Sequence, residues 1–156
     1  MKPEGQKNPD TASFTDDYLL YLLAQASAAA SEAFHAELAR DGISVSTWRI
    51  LASLYPSGRL NVGALARQCL LKQPTLTRTL DRLAEAGLIC RDHSAIDRRG
   101  VLVRLTDKGR ALAAHNVTKA KAHERLILKA YSEAEIAHLK SHLRQLTDSS
   151  RLADQA

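Results

Sequence analysis

The chain has 156 residues, enough for one domain with a substantial core but not comfortably for two. Its 45% apolar and 25% charged residues exclude a disordered chain, and with aromatics at only 4% the core must be built from Leu and Ala. The net charge of +5 is concentrated between Arg67 and Arg110, where ten Lys and Arg stand against five Asp and Glu; the remainder carries twelve of each sign. Such local excess is the electrostatic footprint of a polyanionic partner, and its plain alternative is a solvated charged face.

Residues 1–13 contain two Pro and a Gly and are expected to form a mobile tail. From Asp16 to Arg40 the apolar positions Leu19, Leu22, Leu23, Ala26, Ala30, Phe34 and Leu38 recur every three or four residues. They predict a helix, capped by Ser13 or Thr15 and ended at Gly42. At about 40 Å it is longer than one small domain needs. Ser44 caps a second helix, containing Trp48, Ile50, Leu51 and Leu54, that Pro56 and Gly58 should terminate. A third, short helix begins near Asn61 and buries Leu65 and Cys69. After a turn from Gln68 to Gln73 comes a fourth helix, with Pro74 in its first turn and Gly87 at its end.

Leu88–His93 and Val101–Leu105 are β-prone runs joined by SAIDRRG, which predicts a hairpin with Asp97, Arg98 and Arg99 at its tip. Thr106 caps a long helix to about Tyr131, and Ser132 with Glu135 forms a capping box for the last one. There Ile136, Leu139, Leu143 and Leu146 make a narrow apolar seam suited to packing on another helix. The expected fold is mainly α, in the order α-α-α-α-β-β-α-α.

Two short helices joined by a tight turn and followed by a hairpin read as a winged helix-turn-helix. A DNA major groove admits one helix, and the adjoining hairpin can place a cationic tip in a minor groove or along a backbone. With Leu76, Leu80, Leu83 and Ala84 facing inward, Thr75, Arg78, Thr79 and Arg82 fall on or near the outer side. Arg78 is the best candidate for a bidentate contact with guanine, while Thr75 and Thr77 can meet phosphate or a thymine methyl. An exposed Thr/Arg face alone does not separate a reading helix from a solvated one. The coincidence of helix face, Arg98–Arg99 tip and charge segregation favours DNA.

The run from Leu65 to Leu112, and above all DRRG followed by LTDKGR at Asp97–Arg110, resembles the multiple-antibiotic-resistance regulator (MarR) family of bacterial transcription factors. The similarity covers roughly residues 15 to 150. It implies a homodimer on pseudo-palindromic double-stranded DNA, with no cofactor, acting as a repressor usually released by a small aromatic or other apolar effector. Residues 14–150 would form one unit, in which 14–42 and 107–150 supply dimerisation helices and 44–106 the DNA-binding lobe, with a mobile end at 151–156. It assigns Asp97 to orienting the wing and Arg98 or Arg99 to the minor groove. Effector-lining candidates in a cleft between lobe and dimer helices are Phe34, His35, Trp48 and Ile50.

The sequence departs from the family pattern in two places. A small capping residue is common where Lys72 and Gln73 stand, so this helix start is weakly capped and Lys72 is free to touch phosphate. An arginine common near Gln25 in relatives that sense aromatic acids is missing, which argues against a carboxylate effector.

Other readings carry less. Cys69 and Cys90 lie in apolar contexts and are expected to be buried, reduced thiols rather than oxidant sensors. His138 and His142 have a spacing zinc can use, but no further ligand is near in sequence. No G-x-S-x-G, H-E-x-x-H, G-x-G-x-x-G or Walker motif is present, so an enzyme is not expected. No run approaches the ~18 apolar residues of a membrane span and MKPEGQKNPD lacks an apolar signal region, which predicts a cytoplasmic protein. The rival from another class is a winged helix that binds an acidic protein partner; an enzyme accessory domain is weaker still.

Overall fold

The computed structural model describes residues 14–93 and 101–153. Helices α1 (Phe14–Asp17) and α2 (Leu19–Arg40) lead into α3 (Val45–Ser57), a short strand β1 (Arg59–Asn61), α4 (Val62–Cys69) and α5 (Gln73–Glu85). Strands β2 (Ile89–His93) and β3 (Val101–Leu105) follow, then α6 (Asp107–Ile127) and α7 (Glu133–Ala153). The expected helices and hairpin are present, with three differences. The first helix is interrupted at Tyr18, whose backbone is extended. Pro56 sits inside the last turn of α3, and Gly58, at φ 73°, makes the stop. β1 joins the hairpin to give an antiparallel sheet in the order β1-β3-β2, with Leu60 opposite Val103 and Ile89 opposite Leu105.

Local chemistry sets the boundaries. Ser44 Oγ accepts from the Thr47 amide at 3.1 Å and Asn61 Oδ1 from the Ala64 amide at 2.7 Å. Thr106 Oγ1 accepts from Gly109 at 3.0 Å while donating to the Gly87 carbonyl at 2.7 Å. At the start of α7 the Ser132 amide donates to Glu135 at 2.8 Å and the Glu135 amide returns a bond to Ser132 Oγ at 3.3 Å. These side chains satisfy amides that the first turn of a helix leaves free.

Three helices stop in the same way. After α2, the Ile43 amide reaches the Leu38 carbonyl and the Gly42 amide that of Ala39; after α5, Leu88 reaches Leu83 and Gly87 reaches Ala84. These are Schellman ends, which require a left-handed residue, and Gly42 and Gly87 supply it at φ 72° and 68°. After α4 the same pair of bonds runs from Leu71 to Ala66 and from Leu70 to Arg67, yet the left-handed position is held by Leu70 at φ 54°.

The main core lies in the lobe. Ile50, Leu51 and Leu54 of α3, Leu65 and Cys69 of α4, and Leu76, Leu80 and Leu83 of α5 close on Ile89, Val103 and Leu105 of the sheet and on Ala113 of α6. A smaller cluster of Phe34, Leu38 and Ile43 packs with Trp48, Leu112 and Ala120 where α2 crosses α6. Gly109 permits the close approach of α6 to the lobe, because a Cβ there would collide with the backbone of Leu88.

Candidate nucleic-acid interface

The exposed face of α5 is a consequence of how the helix is buried. Leu76, Thr79, Leu80 and Leu83 point into the core, so Lys72, Gln73, Thr75, Thr77, Arg78 and Arg82 are left on the exposed side. Thr79 corrects the expectation that it faces outward: it is 1% exposed, and its hydroxyl donates to the Thr75 carbonyl at 2.8 Å. That bond within the helix satisfies the hydroxyl, so a threonine can occupy a core position. Ala84, expected inside, is exposed. Thr77 donates to the Gln73 carbonyl at 3.0 Å, leaving its oxygen to accept. Lys72 precedes the helix in extended conformation without a side-chain capping bond, as its residue type led one to expect.

Charge pairing then sorts the cations of the lobe. Asp81 on α5 is bound by Arg91 of β2 at 2.7 Å, and Asp92 is bound by Arg104 of β3 at the same distance. Lys72, Arg78 and Arg82 have no ion pair among the described residues. With Asp81 neutralised by Arg91, the exposed face of α5 carries a net cationic field.

A second set of cations ties the lobe together at helix C-termini. Arg49 of α3 donates to the Cys69 carbonyl at 3.5 Å, Lys108 of α6 to Ala86 at 2.9 Å, and Arg110 of α6 to Tyr55 at 3.4 Å. Each meets the negative end of a helix dipole, closing α4, α5 and α3 respectively. Sequence reading gave none of these residues a partner; their partners lie 20 to 55 positions away.

The wing is defined through its stem, Ile89–His93 against Val101–Leu105. Asp97, Arg98 and Arg99 lie outside the described residues, as do the tail at 1–13 and the chain end at 154–156.

A family model described as the MarR family matches residues 43–101, from just after α2 to the first residue of β3. Over 104 residues, 65% of its length, the chain is 36% identical to the transcriptional regulator PecS of Dickeya dadantii strain 3937, and the match spans 63% of PecS. A crystal structure of a MarR family transcriptional regulator from Silicibacter pomeroyi DSS-3 shares 41% identity over 88% of this chain and 98% of its own, with a TM-score of 0.78. The chain belongs to the MarR family. NadR in complex with 4-hydroxyphenylacetate is also similar, at 28% identity over 93% of this chain and 97% of its own, with a TM-score of 0.78.

Within this MarR family fold the four effector candidates do not come together. Phe34 is buried, with the Trp48 ring edge-on at 5.3 Å and the His123 ring stacked at 5.7 Å. Trp48 is half-buried and lines a cavity of about 280 Å³ with Ala52, Ala120 and Glu124. His35 instead lines a separate open groove along α2 with Gln25 and Glu32. Ile50 is fully buried in the lobe core, in one cluster with Leu54 and Leu65. His123, which sequence reading missed, hydrogen-bonds the Ala30 carbonyl at 2.7 Å and joins α6 to α2; only its position in a helical stripe could have flagged it.

The cysteines differ. Cys69 is buried beside Ser53 Oγ at 3.5 Å, and burial pushes its thiol above the ordinary value, which opposes thiolate chemistry. Cys90 is half-buried rather than buried, since it lies on the outward side of β2 opposite Arg104. His138 and His142 are exposed, and no cluster of three metal-ligating side chains occurs among the described residues. None of the described helices is long and apolar enough to cross a membrane.

Proposed function

We propose that two copies of this chain form a homodimer that binds pseudo-palindromic double-stranded DNA, represses transcription and is released by a small aromatic or other apolar effector. The observation that carries this reading is the face of α5, where Lys72, Arg78 and Arg82 are exposed and have no ion pair among the described residues while Asp81 is neutralised by Arg91. In the groove Arg78 contacts a base edge, Thr75, Thr77 and Gln73 contact bases or phosphate, and Lys72 and Arg82 bind phosphate. Arg98 and Arg99 extend the footprint into the minor groove, with Asp97 orienting the loop.

Dimerisation is supported by apolar surface that one chain leaves open on the long helices, including Leu19, Leu22, Leu139 and Leu143. The dimer places two α5 helices in successive major grooves, about 10 base pairs apart. The complex of NadR with 4-hydroxyphenylacetate supports a small effector, acting by preference for a dimer whose reading helices are wrongly spaced.

The test is anisotropy titration of labelled DNA from upstream of the chain's own coding sequence, with random duplex as competitor. Nanomolar, competitor-resistant binding is expected. Arg78→Ala should lose about 1–3 kcal/mol of discrimination while retaining most binding to random duplex. Equal losses on specific and random duplexes would rule out base readout by Arg78.

A further inference from the structure

Arg67 of α4 and Arg151 of α7 are far apart in the chain, yet with Ala64 and Gln68 they line one open cleft of about 380 Å³. Both are exposed, and neither has an ion pair among the described residues. No carboxylate is among the described residues that line the cleft. Asp148, one turn before Arg151, opens on a neighbouring cleft with Arg144 and Arg151 but pairs with neither among the described residues.

Two guanidinium groups that converge without a counter-charge repel each other, so the arrangement suits an anion that both can bond. Each arginine lies in the last turn of its own helix, where the negative end of the helix dipole favours a cation and the donors of the head group stay free. Gln68 adds an amide donor, and Ala64 takes up little room. A phosphate diester matches this set, because guanidinium groups meet phosphate oxygens with paired, directed bonds.

The place of the cleft in the fold identifies the source of that phosphate. Arg67 and Gln68 end α4, the left-handed Leu70 turns the chain, and Lys72 and Gln73 then begin α5. From Arg67 to Arg78 the chain contains no acidic residue, so the cleft continues the cationic face of the reading helix. In helix-turn-helix docking the helix before the reading helix crosses the DNA backbone, which puts phosphates rather than bases beside α4.

We propose that Arg67 and Arg151 together clamp one backbone phosphate of the bound duplex, so that the end of α7 takes a direct part in DNA binding. The proposal rests on the DNA-binding reading of α5. One half of the clamp comes from the lobe and the other from a long helix, and it adds affinity without reading a base.

The test follows anisotropy of labelled upstream DNA and of a random duplex across salt concentrations, for the full chain and for Arg67→Gln with Arg151→Gln. Both side chains are exposed, so dichroism and mass should match wild type. Affinity for both duplexes should fall about tenfold at one near-physiological salt concentration, discrimination between them should stay constant, and the slope of log affinity against log salt should flatten by about 1 per chain. Arg67→Lys with Arg151→Lys should recover the slope but not the whole affinity, because an ammonium group lacks the planar fork. Arg125→Gln, which removes one charge in the last turn of α6, should leave both slope and affinity unchanged.

Wild-type affinity and slope in Arg67→Gln with Arg151→Gln, or equal flattening by Arg125→Gln, would overturn the clamp. A change of oligomeric state in the glutamine variant would instead make the cleft a contact with a carboxylate of a second copy. Inorganic phosphate titrated at constant ionic strength should move the amides of Arg67, Gln68 and Arg151 only weakly; tight saturation, with no change of DNA slope in the variant, would assign the cleft to a free phosphorylated anion. Wild type that binds neither duplex refutes the DNA-binding reading itself, whereas wild type that binds while the variant matches it refutes the clamp alone.

Discussion

Leu51 and Leu139 are both helix leucines, yet the first has 0% of its surface exposed and the second 47%, and the same contrast divides the molecule. Between α3 and β3 the apolar side chains converge on one core, helix ends are capped, and three cations bind the C-terminal carbonyls of neighbouring helices. Along α1, the first half of α2 and α7, apolar residues recur with the same helical period but meet little of their own chain. Phe14, Leu19, Leu20, Leu139 and Leu143 all remain exposed, and no residue described on α7 is fully buried. Regular amphipathic spacing therefore does two different jobs here. In the lobe it closes a fold, and in the long helices it leaves an apolar area open, which the proposed dimer would cover.

That contrast can be broken most severely at the long helices. Leu139→Glu with Leu143→Glu should convert the proposed dimer to a monomer of about the 17.1 kDa chain mass, and lower DNA affinity by two or more orders of magnitude because one reading helix then binds alone. Light scattering reads the mass, and far-UV dichroism should show the lobe still folded. A dimer that persists would mean the exposed leucines are not the interface. The converse change, Leu80→Ala in the lobe core, should lower unfolding free energy by about 2–5 kcal/mol in urea titration without altering the dimer at native concentrations. An effect below about 1 kcal/mol would show that the lobe core is looser than its packing implies.

The next effect is smaller and of opposite sign. Leu70 holds a left-handed position that Gly42 and Gly87 hold in the two sister turns, and its side chain is 75% exposed, so little packing is lost with it. Leu70→Gly should stabilise by about 1 kcal/mol, read as a rise in urea midpoint at unchanged slope, since the conformational penalty for an L side chain disappears. Destabilisation would show that the exposed Leu70 side chain makes a contact that matters.

Smallest is the pH response of the joint between the two regions. The hydrogen bond from Lys119 holds the Asp41 carboxyl below its ordinary value, and Asp41 and then Glu37 hold Lys119 above its own. The Asp41 contribution is therefore fully present above the ordinary carboxylate value and is lost as pH falls through the lowered one. The Lys119 contribution persists up to the ordinary amine value and is lost as pH rises through the raised one. Asp41→Asn should be slightly less stable than wild type at neutral pH, and the gap should close in acid. Both ions are accessible to solvent, so added salt should shrink it too; a gap independent of pH and salt would place the effect elsewhere.

Much of this was legible because it is local. Ser44, Thr106 and the Ser132–Glu135 box announce helix starts, Gly42 and Gly87 announce ends, and the inward Leu76, Leu80 and Leu83 set the exposed face of α5. What escaped depends on partners distant in sequence. β1 is three residues long and too short for any periodicity, and becomes a strand only by pairing with β3. Thr79 and Asn116 look polar in sequence but are buried because a nearby carbonyl accepts from each. Gly109 reads as an ordinary helix glycine until Leu88 is placed beside it. For the interface, sequence identified the exposed cations but could not show that Asp81 is neutralised by Arg91 and that Arg49, Lys108 and Arg110 serve helix ends.

The central claim is that the long helices hold two reading faces at a fixed spacing, and helical phasing tests it most directly. From a duplex selected for tight binding, variants are made with 5 or 10 base pairs inserted between the half-sites, and affinities are measured at one salt concentration. The account predicts that 5 base pairs, half a helical turn, reduces affinity to that of a single half-site, because the second α5 then faces the wrong side of the duplex. Equal affinity for the parent and the 5-base-pair insertion would contradict it.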